Sequence, residues 1–487
     1  MTAGSEEPAP QQNHHHKLEA LRASGEDPFK LSFSRSHTAD QILTKYTGLV
    51  AEERSGEQVR VAGRIMSLRR LGRVAFAVLQ DYTGRIQLFA DAASLGDRLD
   101  GFAGLDVGDW TGAAGEVVAT KTGEISVHIT DFELLTKCLR PWPDKFHGVR
   151  DVERRYRQRY LDLATNPRAR EIMLARSTTV EALRSWLSER DFVEVETPML
   201  QPQPGGAIAR PFVTHHEVLG IDMYLRIAPE LYLKRLLIGG VERVFEINRN
   251  FRNEGVSVKY NPEFTMLELY QAFADYHDMA ELMEGMIRHT ATEVNGSRRV
   301  TFQGTEIDFD LPFRRVKLID LVREAGVDVD GDLAGECDRI GVPYDPKWPW
   351  GKLLVEIYEK KVEPTIAQPT FVMDFPLDVS PLARTHRDDP RFTEHFDLLI
   401  GGIEIGPAYS ELTDPGEQRK RFEAQAQLRL EGDAEAHLVD EDFLNALEYG
   451  MPPAGGLGMG IDRLVMVLTD SASIREVILF PALRPEA

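Results

Sequence analysis

The chain is predicted to be α+β, with an antiparallel sheet flanked by helices that follows a small all-β barrel. Three observations predict it. Short strand-like runs broken by turn residues fill residues 57–140. From about residue 150 longer helical patterns alternate with strands. Hairpin signals recur there without regular βαβ units, which argues against a parallel sheet.

In chain order, residues 1–56 read as a polar, helical extension, where His14, His15 and His16 fit a disordered tail better than a metal site. Residues 57–141 carry the runs Val59–Met66, Val74–Leu79, Arg85–Phe89 and Ile125–Leu135. Gly72, Asp81-Tyr-Thr-Gly84 and Lys121-Thr-Gly-Glu124 separate them. About five short strands at these spacings suit a barrel of OB type. Phe76, between Val74 and Val78, reads as barrel core. Pro141 and Pro143 mark a hinge that opens a linker, 142–165, before the main domain, 166–487. There Ile172, Leu183 and Leu187 sit near helical spacing, as do Met279, Leu282, Met283 and Met286, which read as core filling. Val244–Glu254 places Glu246, Asn248, Asn250, Arg252 and Glu254 at every second position, with Phe245, Ile247 and Phe251 on the other face. That pattern describes a strand on the wall of a wet site.

Composition narrows the class. The 487 residues carry a net charge of -21, which argues against general nucleic-acid binding. Two basic islands remain, Arg64/Arg69/Arg70/Arg73 and Arg150/Arg154/Arg155/Arg157/Arg159. They suit a polyanion held at defined points, and solvated faces fit them equally. No run approaches the ~20 apolar residues that span a bilayer, and the start of the chain lacks the apolar core of a secretion signal. Two cysteines, Cys138 and Cys337, are too few for a disulfide framework. A cytoplasmic protein with no membrane partner is expected.

Charged residues in apolar runs point to chemistry. Phe396–Ile400 and Ile403–Ile405 flank Gly401-Gly402, the signature of a two-residue hairpin turn. In that register Ile400 opposes Ile403 and Leu399 opposes Glu404, which leaves Asp397 as a diagonal neighbour of Glu404. Two carboxylates on one face suit Mg²⁺. Glu268 and Tyr270 share a strand face, and Glu411 lies in a second apolar run. A buried acid is costly unless paired or protonated. Both acids entering one pocket would imply a cationic ligand, with a protein arginine the competing partner.

Three stretches, Glu194-Val-Glu-Thr-Pro198, Phe251-Arg252-Asn253-Glu254 and Gly458-Met-Gly-Ile-Asp-Arg463, resemble the three ordered motifs of a class II aminoacyl-tRNA synthetase. The likeness sharpens to lysyl-tRNA synthetase, a class IIb family, through Pro204-Gly-Gly-Ala-Ile-Ala-Arg-Pro-Phe212, Tyr224-Leu-Arg-Ile-Ala-Pro-Glu-Leu231 and Phe245–Gly255. Lys145-Phe-His-Gly148, Arg155–Asp162, Leu447-Glu-Tyr-Gly450 and Ile478-Leu-Phe-Pro481 extend it from about residue 17 to the C-terminus.

The resemblance implies a homodimeric lysine–tRNA ligase whose substrates are ATP, L-lysine and tRNA(Lys), with Mg²⁺ as cofactor. Arg252 would bridge the α-phosphate and the lysine carboxylate, with Arg463 at the ATP tail; an arginine fork suits both anions. Glu254, Asn261 and Phe264 would seat adenine, beside Glu404. Glu230 and the backbone near Gly206 would take the α-amino group. Glu268, Tyr270 and Glu411 would hold the side-chain ammonium, with Tyr409 and Gly460 completing the lysine site. Asp397 and Glu404 would hold the metal, and the stretch ending at Pro198 would build the dimer interface. Arg64, Phe76 and Gln87 would contact anticodon bases, as single-stranded loops are read by stacking and hydrogen bonds.

Three positions depart from the family pattern. Pro407 stands where an asparagine that helps hold lysine is usual, Tyr260 where a histidine is usual, and Asp397 where a glutamate is usual. The resemblance leaves open a secondary paralogue that uses a lysine analogue, resists an inhibitor or lysylates another acceptor. It also leaves open a non-catalytic RNA-binding paralogue.

Overall fold

Strand β1 (Arg54–Leu71), β2 (Val74–Gln80), β3 (Arg85–Asp91), β4 (Trp110–Ala119) and β5 (Ile125–Thr136) close into a barrel in the order β1-β2-β3-β5-β4. Only β3 and β5 pair in parallel. The barrel belongs to the first of two compact units, Met1–Asp151 and Val152–Ala487. The computed structural model describes residues 9–143, 148–430 and 438–486, with side chains from residue 13 onward. Lys145-Phe-His147 lies outside the described residues.

A narrow barrel favours small inward side chains, and the interior holds Ala75, Ala77, Leu79, Leu88, Val117 and Val127. Phe76 therefore points outward, against the core reading of its run. It stacks on Phe89 at 5.2 Å, and Phe89 stacks on His128 at 4.8 Å. The Arg69 guanidinium covers Phe76 at 5.2 Å. Arg64 lies between Trp110 (4.7 Å) and Trp142 (4.5 Å) and donates to the Gly108 carbonyl at 2.7 Å. Gln87 donates to Glu124 at 2.8 Å.

Two expectations shift at the flanks. His14, His15 and His16 sit in the helix Ala9–Ala23 rather than a tail, with His14 Nδ1 2.7 Å from the Cys138 carbonyl oxygen. Part of the expected linker folds as two short helices, Val152–Arg157 and Arg159–Thr165, within the second unit. Arg155 and Arg159 both pair there with Asp162 at 2.8 Å, so two of that island's five arginines serve the fold.

The second unit is built on β6 (Val193–Glu194), β7 (Arg243–Phe251), β8 (Glu263–Ala272), β9 (Arg314–Lys317), β10 (Thr370–Met373), β11 (His395–Ile400), β12 (Ile403–Ser410) and β13 (Ala454–Gly460). Their order is β9-β10-β11-β12-β13-β8-β7-β6. The outer pairs β9–β10 and β6–β7 are parallel and every other pair is antiparallel.

One sheet face buries Phe245, Leu267, Leu269, Phe396, Leu398 and Leu457 against the helices Pro167–Ser188, Tyr276–Asn295 and Ile461–Leu468. Met279, Met283 and Met286 fill this core. The helix Tyr276–Asn295 starts at a capping box between Asp275 and Asp278 and stops at left-handed Gly296. The opposite sheet face carries the polar residues and the cavity.

Candidate active site

Strand pairing brings the charged residues together. In the β7–β8 register Glu246 lies directly opposite Glu268. Like charges so placed repel, and the two acids are relieved differently. Glu246 accepts from Arg226 at 2.6 Å and from the Thr197 hydroxyl at 2.6 Å, and Arg226, itself buried, also donates to the Arg249 carbonyl at 2.8 Å. Glu268 has no ion pair to a protein cation among the described residues; its one side-chain donor is the Tyr270 hydroxyl, at 2.8 Å. Burial, followed by the negative charge of Glu230, pushes the Glu268 carboxyl up to about 8.

Glu268 opens onto a cavity of about 440 Å³ on the polar face. Across the sheet, Tyr270 pairs with Gly456 and Gly456 with Tyr409. A Cβ on Gly456 would strike both Glu411 and Tyr270, so a bare backbone makes the room here. Glu230 and Gly206 line the same end. Behind it, the ammonium of Lys234 lies 2.6 Å from Glu230 and 2.5 Å from Glu411. Glu411 thus differs from expectation: it is fully buried, already mated to a protein lysine, and does not line the cavity.

Guanidinium groups occupy the other end. Arg252 follows β7, lies 5.1 Å over the Phe264 ring and has a buried Nε with no protein partner among the described residues. Arg463, after the Gly-rich strand β13, donates to the Glu404 carbonyl at 2.7 Å and lies 3.3 Å from its carboxylate. Its guanidinium also sits 5.4 Å over Tyr260. Burial opposes the charge on Arg463, but Glu404 and Tyr260 outweigh it and raise its pKa. Glu254, Asn261, Pro407, Tyr409 and Gly460 also line the cavity. The Asn261 side chain accepts from the Ala482 amide at 3.1 Å.

The hairpin turns at Gly401-Gly402 with both φ values positive, +61° and +69°, as a two-residue turn requires. Ile400 pairs with Ile403 and Leu399 with Glu404; the register then slips, so Asp397 faces Pro407. Proline cannot donate to a ladder and settles beside irregularities. Asp397 Oδ1 lies 3.1 Å from His395 Nε2. Burial raises the Asp397 pKa, His395 pulls it down, and the Glu404 charge adds to the rise. Two carboxylates close enough to sense each other, one with an oxygen not engaged by His395, form a hard-oxygen donor set that fits Mg²⁺.

Sequence reasoning missed Lys234, Lys259 and His395. Glu230 and Lys234 stand one helical turn apart, a spacing that signals a pair. Lys259 lines the cavity and donates to the Gly402 carbonyl at 3.0 Å, and nothing in its loop signals that.

Residues 151–484 match the family described as tRNA synthetases class II (D, K and N), and residues 59–135 match the OB-fold nucleic acid binding domain. The chain is 52% identical to a lysine–tRNA ligase of Carboxydothermus hydrogenoformans over 96% of both chains. It is 51% identical to one of Xanthomonas oryzae pv. oryzae over 97% of this chain and 95% of the relative. The chain belongs to the lysine–tRNA ligase family of class II tRNA synthetases. Within that family's fold, the cavity lies where three separated stretches, 194–198, 251–254 and 458–463, are drawn to one sheet. Thr197 bonds to Glu246, itself paired with Arg226, and does not line the cavity, whereas Arg252 and Arg463 do.

Proposed function

We propose that this chain is an ATP- and Mg²⁺-dependent lysine–tRNA ligase. A lysine carboxylate oxygen attacks the α-phosphorus of ATP, the bond to the β-phosphate breaks, and pyrophosphate leaves with its electron pair. The ribose hydroxyl at the 3′ end of tRNA(Lys) then attacks the lysyl carbonyl, loses its proton, and AMP departs. Neither step needs a covalent link to protein, so the work is orientation and charge stabilisation. Arg252 holds the lysine carboxylate against the α-phosphate, and Arg463 holds the nucleotide tail. Glu254, Asn261 and Phe264 seat the adenine. Asp397 and Glu404 would hold Mg²⁺, which would supply neutralisation of phosphate charge.

The observation that carries the substrate is Glu268, a buried cavity carboxylate with no ion pair to a protein cation among the described residues, while its cross-strand neighbour Glu246 has one. A ligand ammonium is the missing partner. Glu230 and Gly206 take the α-ammonium, and Glu268 with Tyr270 takes the ε-ammonium. Lysine-dependent exchange of pyrophosphate into ATP tests the reading, followed by charging of tRNA(Lys); folded protein without that exchange sinks it.

The outward Phe76–Phe89–His128 stack supports anticodon binding on the barrel. Exposed Val193, Met199, Leu200, Val213 and Ile221 near 194–198 support homodimer formation. Free cysteines support a cytoplasmic location. No described helix is long and apolar enough to cross a membrane.

A further inference from the structure

The amino-acid end of the cavity contains an internal cation with no place in the proposed contacts to substrate. Lys234 is fully buried on the helix Glu230–Ile238. Its ammonium touches Glu230 on its own helix (2.6 Å) and Glu411 just after β12 (2.5 Å), and lies 5.9 Å from the Tyr270 ring centre. The carboxylates gathered here are Glu230, Glu268 and Glu411. The fourth nearby acid, Glu246, is neutralised by Arg226. With all three acids ionised, as a bound ammonium favours, their charge less that of Lys234 leaves two negative charges. Free L-lysine brings two ammonium groups.

We propose that Lys234 is a specificity-determining positioning residue, whose buried ammonium cancels one of three carboxylates and so matches the pocket to an amino acid with two positive groups. The inference rests on the ligase reading above and deepens it. Glu411 then acts from behind the wall: it fixes the Lys234 ammonium, and that ammonium fixes the Glu230 carboxylate facing the substrate. Burial alone would strip the proton from Lys234, and the charges of Glu230 and Glu411 outweigh that and hold it as a cation. Without Lys234 the pocket would keep a third charge that lysine cannot answer, and a neutral residue there would leave Glu411 buried without a counter-ion.

The test uses the full chain, lysine-dependent pyrophosphate exchange, and two variants. Lys234→Met removes the cation at similar length and is expected to raise KM for lysine roughly a hundredfold or more. KM for ATP should stay within about twofold, because the nucleotide end is untouched. The double variant Lys234→Met/Glu411→Gln restores two negative charges and should return the lysine KM to within about tenfold of the unaltered chain. Should the single variant fail to fold, the double variant decides alone. A lysine KM unmoved by Lys234→Met overturns the proposal. So does a loss shared equally by both substrates, or a folded double variant with no recovery. Absence of exchange in the unaltered chain removes instead the ligase reading beneath it.

Discussion

The two ends of one cavity solve opposite electrostatic problems. At the amino-acid end, carboxylates outnumber cations: Glu230 and Glu411 share Lys234, and Glu268 has, among the described residues, only a tyrosine hydroxyl. At the nucleotide end the guanidinium groups of Arg252 and Arg463 line the cavity, and Arg463 is steadied by Glu404. Each end is therefore incomplete in the sense that its ligand would complete. An ammonium belongs at one and phosphate oxygens at the other. A buried charge without its partner costs several kcal/mol, so each end favours a ligand group of the opposite charge.

Variants can separate the ends. The largest effect is expected at Arg252→Ala, which removes the group between carboxylate and α-phosphate; kcat for exchange should fall by about a thousandfold, comparable to losing a preorganised donor at a developing charge. A fall of less than tenfold would place Arg252 outside the reacting centre. Next comes Glu268→Gln, which keeps shape but removes the charge. Lysine affinity measured by calorimetry should weaken by roughly 3 kcal/mol while ATP affinity holds, and equal losses for both ligands would erase the distinction between the ends.

The third effect is pH dependence. Burial raises the Glu268 carboxyl to about 8, so below that pH the empty site is protonated there. Lysine must displace that proton, so affinity should rise by up to about tenfold per pH unit well below pH 8 and level off above it. The same raised pKa means the folded, ligand-free protein holds more protons than the unfolded chain across that window, so its stability falls as pH rises. Lysine affinity that is flat between pH 6 and 8, or no proton release across buffers of different ionisation enthalpy, contradicts the assignment. The smallest effect belongs to Tyr270→Phe, which deletes one hydrogen bond to Glu268 and should cost about 1 kcal/mol in lysine binding; a loss as large as that of Glu268→Gln would make the hydroxyl a primary contact.

What the sequence disclosed, and what it hid, follows from the range of each interaction. Gly401-Gly402 announced both turn and local register, because two positive φ angles restrict the choice of residue. The alternation in 243–251 announced a polar face for the same local reason. The slip beside Pro407 was hidden, since it depends on which neighbour strand loses a donor. Phe76 was misread because apolar residues fill both faces of β2, and barrel width, not pattern, sends alanines inward. β4, with Gly112, Ala113, Ala114 and Gly115, escaped naming because small residues carry weak strand signals. The Lys234–Glu411 contact joins residues far apart in the chain, so only tertiary structure could pair Glu411 with a protein lysine.

Position 456 carries a consequence for redesign. Between Tyr270 and Tyr409 the backbone already has no side chain, so nothing there can be trimmed to admit a bulkier amine. Extra volume must come from shortening one of the flanking phenols. Tyr409 also packs 4.5 Å from His395, which reaches Asp397, so widening the slot on that side would disturb the carboxylate pair at the far end. Trimming Tyr270 leaves that pair alone but deletes a side-chain donor to Glu268, so neither route to a roomier enzyme is free of side effects.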